Sequence, residues 1–196
     1  MTKHIAGIDY GIRAPCLCIV PVQEDTELTH WNQCHFYYTT QVKAQLINSG
    51  NVHSIHISDT GENRYESIAE YFTETLRSYD VCQVGLEGYA YGSAKNSSSL
   101  TALAENVGLL KYFLFRADIA VNIHAPSMVK KFATGRGNAS KDEMFDKFCL
   151  ITGYDLNLLY GRDPTATSKS PVSDMVDAYF ISQVQRLVKI LEEADV

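Results

Sequence analysis

Cysteine is too sparse and too scattered in this chain to build a framework. The five residues, Cys16, Cys18, Cys34, Cys82 and Cys149, are odd in number, and only the first two are close neighbours. A structural zinc site takes about four ligands, commonly delivered as paired knuckles, and no second pair is present. Reduced, mostly buried thiols are therefore expected. No run of about 18 apolar residues occurs, which excludes a transmembrane helix. No Gly-x-x-x-x-Gly-Lys loop occurs, which excludes a Walker-type nucleotide site. Internal repeats, low-complexity linkers and domain boundaries are also lacking, so the chain reads as a single domain over 1–196. With 45% hydrophobic and 20% charged residues, it has the composition to bury a core.

Positive charge is in short supply as well. Seventeen Lys and Arg face 23 Asp and Glu, a net charge of −6. That is the wrong sign for a domain whose partner is a polyanion. The distribution softens the objection. Lys130, Lys131, Arg136, Lys141 and Lys147 cluster in one stretch, while Glu24-Asp25-Thr26-Glu27 and Glu192-Glu193-Ala194-Asp195 hold much of the surplus acid.

Periodicity supplies the element order. His4 to Ile8, Leu17 to Val22 and Gln33 to Thr39 read as three strands joined by short turns, an antiparallel meander. Val52 to Ile57 alternates and suggests a further short strand. Helical spacing runs from Asn63 to Tyr79, then a strand from Val81 to Leu86, a Gly- and Ser-rich loop from Gly88 to Ser99, and a helix over about 100–116. Ile119 to His124 is another strand. Pro126 suits the first turn of a short helix. Ser140 with Glu143 forms a capping box for a helix ending near Leu150. A polar loop over 153–170 and an amphipathic helix from about Pro171 to Leu191 complete the chain. This order predicts an α/β fold, with a mixed five-stranded sheet (meander first, then parallel strands) and helices on both faces.

Four carboxylates stand at positions that invite chemistry. Asp9 ends the buried run Ile5-Ala6-Gly7-Ile8, and Glu87 ends the run Val81 to Leu86. Asp174 and Asp177 open the last helix at i, i+3 spacing and share one face. Each has a bland alternative. Asp9 suits a strand-end turn, and Asp174 suits the positive end of a helix dipole, a reading that serves Asp177 less well. An actin-like ATPase also begins on an acidic strand end and a glycine, but needs a duplicated fold that 196 residues are too few to hold. An acid directly after a buried strand is costly unless solvated, paired or metal-bound. Acids at strand ends facing a helix start can hold divalent cations, and two such ions can clamp a phosphodiester during in-line attack by water. Tyr89 and Tyr91, just after Glu87, suit base stacking or plain loop packing equally.

The chain resembles the RuvC-type Holliday-junction resolvases, a branch of the ribonuclease-H-like nucleases, in the compact form carried by bacteriophages. The resemblance rests on Gly7-Ile8-Asp9-Tyr10-Gly11, Leu86-Glu87-Gly88-Tyr89, Glu105-Asn106-Val107-Gly108 and Pro126-Ser127-Met128-Val129-Lys130-Lys131. It continues through Gly135-Arg136-Gly137-Asn138-Ala139-Ser140-Lys141 and Asp174-Met175-Val176-Asp177-Ala178. It implies a ribonuclease-H-like fold and a homodimer that cuts a four-way or otherwise branched DNA junction by paired nicks. The implied cofactor is a pair of Mg²⁺ ions per site, replaceable by Mn²⁺, with Asp9, Glu87, Asp174 and Asp177 as ligands. Lys141 would steady the scissile phosphate. Tyr89, Tyr91, Lys130, Lys131, Arg136 and Lys141 would contact DNA, and Gly108 would permit close helix packing near the dimer partner. The acidic balance departs from the pattern, as does the long loop from Arg162 to Lys169. Related activities on RNA–DNA hybrids, flaps or packaging substrates, or a non-catalytic branch-binding module, are the competing readings. Met1-Thr2-Lys3-His4 leads into a strand without a signal-peptide core, so the expected location is the cytoplasm, a host's if the chain is phage-encoded.

Overall fold

A computed structural model describes residues 3–22, 27–88, 97–163 and 168–194, with side chains in the 97–163 segment described from residue 100. Strands β1 (His4–Asp9), β2 (Cys16–Pro21) and β3 (His35–Thr40) form the expected antiparallel meander. Strands β5 (Val81–Glu87) and β6 (Ala120–His124) add parallel to β1 on its other side. The sheet has six strands rather than five, in the order β4-β3-β2-β1-β5-β6. The sixth is β4 (Val52–His56), which runs parallel to β3. Its crossover, 41–51, contains only one 3-10 turn (Lys43–Gln45). Parallel crossovers usually take a dozen or more residues, so nothing in this short stretch announces one.

Alternation along the strands sorts the core into two layers. Ala6, Ile8, Leu17 and Ile19 face helices α1 (Gly61–Ser78) and α2 (Ser97–Arg116), meeting Phe72, Leu76, Leu110 and Leu114. Ile5, Cys16, Cys18, Phe36 and Tyr38 face α3 (Pro126–Thr134), α4 (Lys141–Thr152) and α5 (Val172–Ala194). Each fully buried Phe or Leu contributes roughly 1.5–3 kcal/mol. Of the five thiols, Cys16, Cys18 and Cys34 are buried, Cys149 is half-buried and Cys82 is exposed.

Helix α5 is the last element in sequence and the most central in space. It was expected to be amphipathic, yet from Val172 to Arg186 every residue but Asp174 and Asp177 is buried. The stretch 153–170 is not plain loop. Asp155 caps a 3-10 turn, Leu156–Tyr160, by accepting from Asn157 N at 2.8 Å, and Leu156 is fully buried. Among the described residues no helix is long and apolar enough to cross a membrane.

Candidate active site

The strand register brings the first two acids together. Gly7 pairs with Gly85 and Ile8 with Leu86, so Asp9 and Glu87 end adjacent parallel strands on the same face. That face meets α5. Gly7 and Gly85 leave a floor without side chains: the helix backbone lies directly on Gly7, and the Gln185 side chain with the His124 ring covers Gly85. A Cβ at Gly7 would stand 2.1 Å from Ser182 N and 2.4 Å from Ala178 O. The helix runs back along β1, since Lys3 meets Glu193 near its far end. One helical turn before Ala178 therefore lies beside the strand end carrying Asp9, and that turn carries Asp174 and Asp177.

Lys141 completes the group from α4. Its Nζ is 3.7 Å from Asp177 Oδ2 and 3.8 Å from Asp174 Oδ1, and it donates to Ser173 Oγ at 3.3 Å. The glycine-rich segment before it is what delivers it. Gly135 caps α3 in the left-handed region at φ +82°. Gly137 packs on Ser127, where a Cβ would meet the carbonyl oxygen at 3.1 Å. Ser140 and Glu143 then close the capping box, with Glu143 Oε2 accepting from Ser140 N at 2.8 Å and Ser140 Oγ accepting from Glu143 N at 3.2 Å.

Asp9, Glu87, Asp177, Lys141 and Lys130 line one cleft of about 340 Å³. Its other wall is apolar: Leu103 and Val107 from α2, with Pro126, Met144 and Tyr10. Asp174 stands at the rim, where it accepts hydrogen bonds from the hydroxyls of Ser170 and Ser173. Sequence reasoning missed the apolar wall and both serines. Only Ser173, directly before Asp174 on the helix, offered a local signal.

The remaining DNA-contact expectations divide. Lys131 is exposed and away from the cleft lining. Arg136 is exposed but forms an ion pair with Glu143 of the capping box. Tyr89 and Tyr91 lie outside the described residues. Gly108 does not pack tightly within this chain, since a Cβ there would meet nothing within 4 Å. It sits on the outer side of α2, turned from the sheet.

Crowding of like charge sets the electrostatics. Burial, and then Asp177, Asp174 and Glu87, hold the Asp9 carboxyl well above the usual carboxylate range, against the pull of Lys141. Burial and Asp177 push Glu87 up to about 7, with Lys130 and Lys141 opposing. Burial pushes Asp177 up to about 6, with Lys141 opposing and Asp174 adding to the rise. Burial works against the charge on Lys141, but Asp177, Asp174, Asp9 and Glu87 together raise its pKa.

These shifts predict a stability cost. Glu87 and Asp177 bind protons more tightly folded than unfolded, where carboxyls titrate near 4. Their penalty is absent below that value, grows as pH rises to about 7, and is constant above. Glu87→Gln should therefore raise the melting temperature of the metal-free protein by about 4–8 °C near pH 8, for roughly 2 kcal/mol relieved in a domain of this size, and by far less near pH 5. A gain independent of pH, read by thermal denaturation in chelator, would refute the crowding argument.

A two-sided α/β sheet with acids converging on one cleft defines a ribonuclease-H-like nuclease fold. The sequence model of the crossover junction endodeoxyribonuclease RuvC family matches residues 37–148. The chain belongs to that family of junction-cutting endonucleases. The solved structure of Thermus thermophilus RuvC in complex with Holliday junction substrate superposes with a TM-score of 0.66 at 18% identity, covering 98% of this chain and 97% of that one. A second Thermus thermophilus RuvC structure gives 0.61 at 19% identity, with 96% of each chain covered. The yeast mitochondrial Holliday junction resolvase Ydc2 gives 0.56 at 16% identity, with 98% and 81% covered. No curated protein sequence matches the chain.

Proposed function

We propose that this protein resolves four-way DNA junctions by paired, divalent-cation-dependent nicks, leaving 5′-phosphate and 3′-hydroxyl ends. The observation that carries the reading is the gathering of Asp9, Glu87 and Asp177 around one cleft, with Asp174 at its rim and Lys141 reaching both helix acids. The matched family segment includes Glu87 and Lys141 but not Asp9, Asp174 or Asp177. For those three the support is geometric.

The donor set suits a hard cation, because every candidate ligand is a carboxylate. Among the described residues no three Asp, Glu, His or Cys side chains are placed to grip a single ion. The acids instead face Lys141, which offsets their mutual repulsion. When bound, a pair of Mg²⁺ or Mn²⁺ ions supplies a lowered water pKa and stabilisation of the leaving oxygen. Asp9 and Glu87 would hold them from the sheet, Asp174 and Asp177 from the helix. Lys141 and Lys130 sit where a phosphodiester entering the cleft would pass, so each can hold its charge. Lys131 and Arg136 would track the flanking backbone, and Tyr89 and Tyr91 would stack on unpaired bases. Branched DNA would be chosen by shape, since a junction centre unstacks more easily than a duplex.

A homodimer fits the outer side of α2. Phe115 is 76% exposed and Tyr112 54%, and Phe115 lies beside Ile123 of the edge strand β6, itself 50% exposed. Large apolar exposure on an open edge is what a second copy covers. Such an enzyme would work on DNA in the cytoplasm.

One gel tests the reading. Synthetic four-way junctions should be cut symmetrically in Mg²⁺ and left intact in EDTA, with flap, RNA–DNA hybrid and plain duplex cut far more slowly. Preferred cutting of the hybrid or flap would move the chain to a different nuclease activity. Junction binding without any metal-dependent product would make it a binding module.

A further inference from the structure

The turn that follows Asp9 is held from behind by a buried arginine with no carboxylate paired to it among the described residues. Arg64 lies in α1 and is 3% exposed. Its Nη1 donates to the Ile12 carbonyl at 2.6 Å and its Nη2 to the Arg13 carbonyl at 3.0 Å. Among the described residues no carboxylate forms an ion pair with it, and its titratable neighbours are Tyr10 and Tyr65. A buried guanidinium without a counter-ion is costly. If packing were the only need, methionine or leucine would fill the place without that cost.

What the arginine provides is a rigid fork, and both prongs land on one turn. Tyr10 and Gly11 of that turn line the cleft beside Asp9. Among the described residues no backbone–backbone hydrogen bond ties Ile12 or Arg13, so these two carbonyls are anchored by a side chain from another element. The cations whose charge bears on Asp9, Glu87 and Asp177 are Lys141 and Lys130, not Arg64. The direct link from Arg64 to the cleft is therefore the turn its two hydrogen bonds hold.

We infer that Arg64 is a positioning residue: by clamping the Ile12 and Arg13 carbonyls it fixes the turn that keeps Asp9 in place, so cation affinity depends on an α1 side chain that never reaches the cation. This rests on the cation-dependent reading of the cleft given above. Supporting residues around metal ligands typically change metal affinity about 10–100-fold.

The test is calorimetric titration of Mn²⁺ into the full chain without DNA, well below the melting temperature, for wild type, Arg64→Met and Arg64→Lys. Four-way-junction affinity is measured in parallel in EDTA. Arg64→Met is expected to bind Mn²⁺ at least ~10-fold more weakly, with junction affinity within about threefold of wild type. Arg64→Lys should recover part of the loss, because one ammonium can still serve one carbonyl. A purely structural arginine would lower the melting temperature and leave the isotherm unchanged, which would overturn the inference. If Arg64→Met does not fold, Arg64→Lys decides alone, and wild-type Mn²⁺ affinity in that variant overturns it. If wild type itself binds no Mn²⁺, the cation reading fails separately. The effect on cation affinity falls with it, and the clamp on the turn is judged alone: the amide resonances of Tyr10 to Ala14 must shift in Arg64→Lys, and unchanged resonances overturn it.

Discussion

Asp9→Asn should slow junction nicking in Mg²⁺ by about 10³-fold or more while junction affinity in EDTA stays within about threefold of wild type. The rate loss corresponds to roughly 4 kcal/mol of transition-state stabilisation. Asparagine keeps the size and one oxygen but removes the charge. That charge sits among Asp177, Asp174 and Glu87, which all act on it, so on the proposed cation-dependent reading its loss should most weaken the cleft's hold on a cation. The same crowding separates catalysis from folding. A neutral residue relieves repulsion, so the variant should be at least as stable as wild type, and inactivity cannot be ascribed to unfolding. Binding should be spared because DNA affinity comes mainly from cations on phosphates, and a carboxylate makes no such contact. Single-turnover cleavage beside a chelator-phase binding assay separates the two effects. Near-normal cleavage by Asp9→Asn would remove Asp9 from the site.

The candidate site was legible in sequence because its acids end or begin regular elements. A buried strand followed by an acid gives both the strand and the direction of its end, and two such strands in parallel register place their ends side by side. Gly7-x-Asp9 and Gly85-x-Glu87 carried a second signal. A glycine two positions before each acid lies on the same face as the acid; the α5 backbone settles on Gly7, and the Gln185 side chain of the same helix on Gly85. Local features closed by neighbouring residues were also readable, the Ser140–Glu143 capping box among them. Features that depend on distant partners were not. The parallel pairing of β4 with β3 follows a crossover with no helix to announce it. The burial of α5 on nearly every side reflects what surrounds it, since α3, α4 and the sheet cover faces that periodicity alone would assign to solvent. Arg136 looked like a free cation in a basic stretch, and its ion pair with Glu143 is visible only once the capping box is folded. Gly108 sits in a motif whose resemblance implies packing near a second copy, and among the described residues a Cβ there would meet nothing within 4 Å.

The glycine floor makes the other large prediction. Gly7→Ala should cost roughly 4 kcal/mol or more, lowering the melting temperature by about 8–16 °C in a domain of this size. The methyl group would meet Ser182 N at 2.1 Å, Ala178 O at 2.4 Å and Ile181 C at 2.7 Å. All three are backbone atoms of a helix packed on several sides, so no rotamer change relieves the contact. Gly85→Ala is a graded control, because its nearest neighbours are the His124 ring at 2.8 Å and Gln185 Cβ at 3.1 Å. These are side-chain rather than backbone atoms, but the ring is buried and hydrogen-bonded to Gln185 at 2.9 Å, so the expected cost is about 1–3 kcal/mol. Gly108→Ala is the opposite control. Its open surroundings leave only the gain in helix propensity, which should stabilise the isolated subunit by about 0.5–1 kcal/mol. The ordering Gly7, Gly85, Gly108 is thus a ranking by what each Cβ would strike. Where Gly7→Ala still folds, α5 must lift from β1 and carry Asp174 and Asp177 away from Asp9, so activity should fall further than stability does. A Gly7→Ala protein with wild-type melting and wild-type cleavage would mean that the helix does not rest on the strand, and the convergence of acids built on that contact would fall with it.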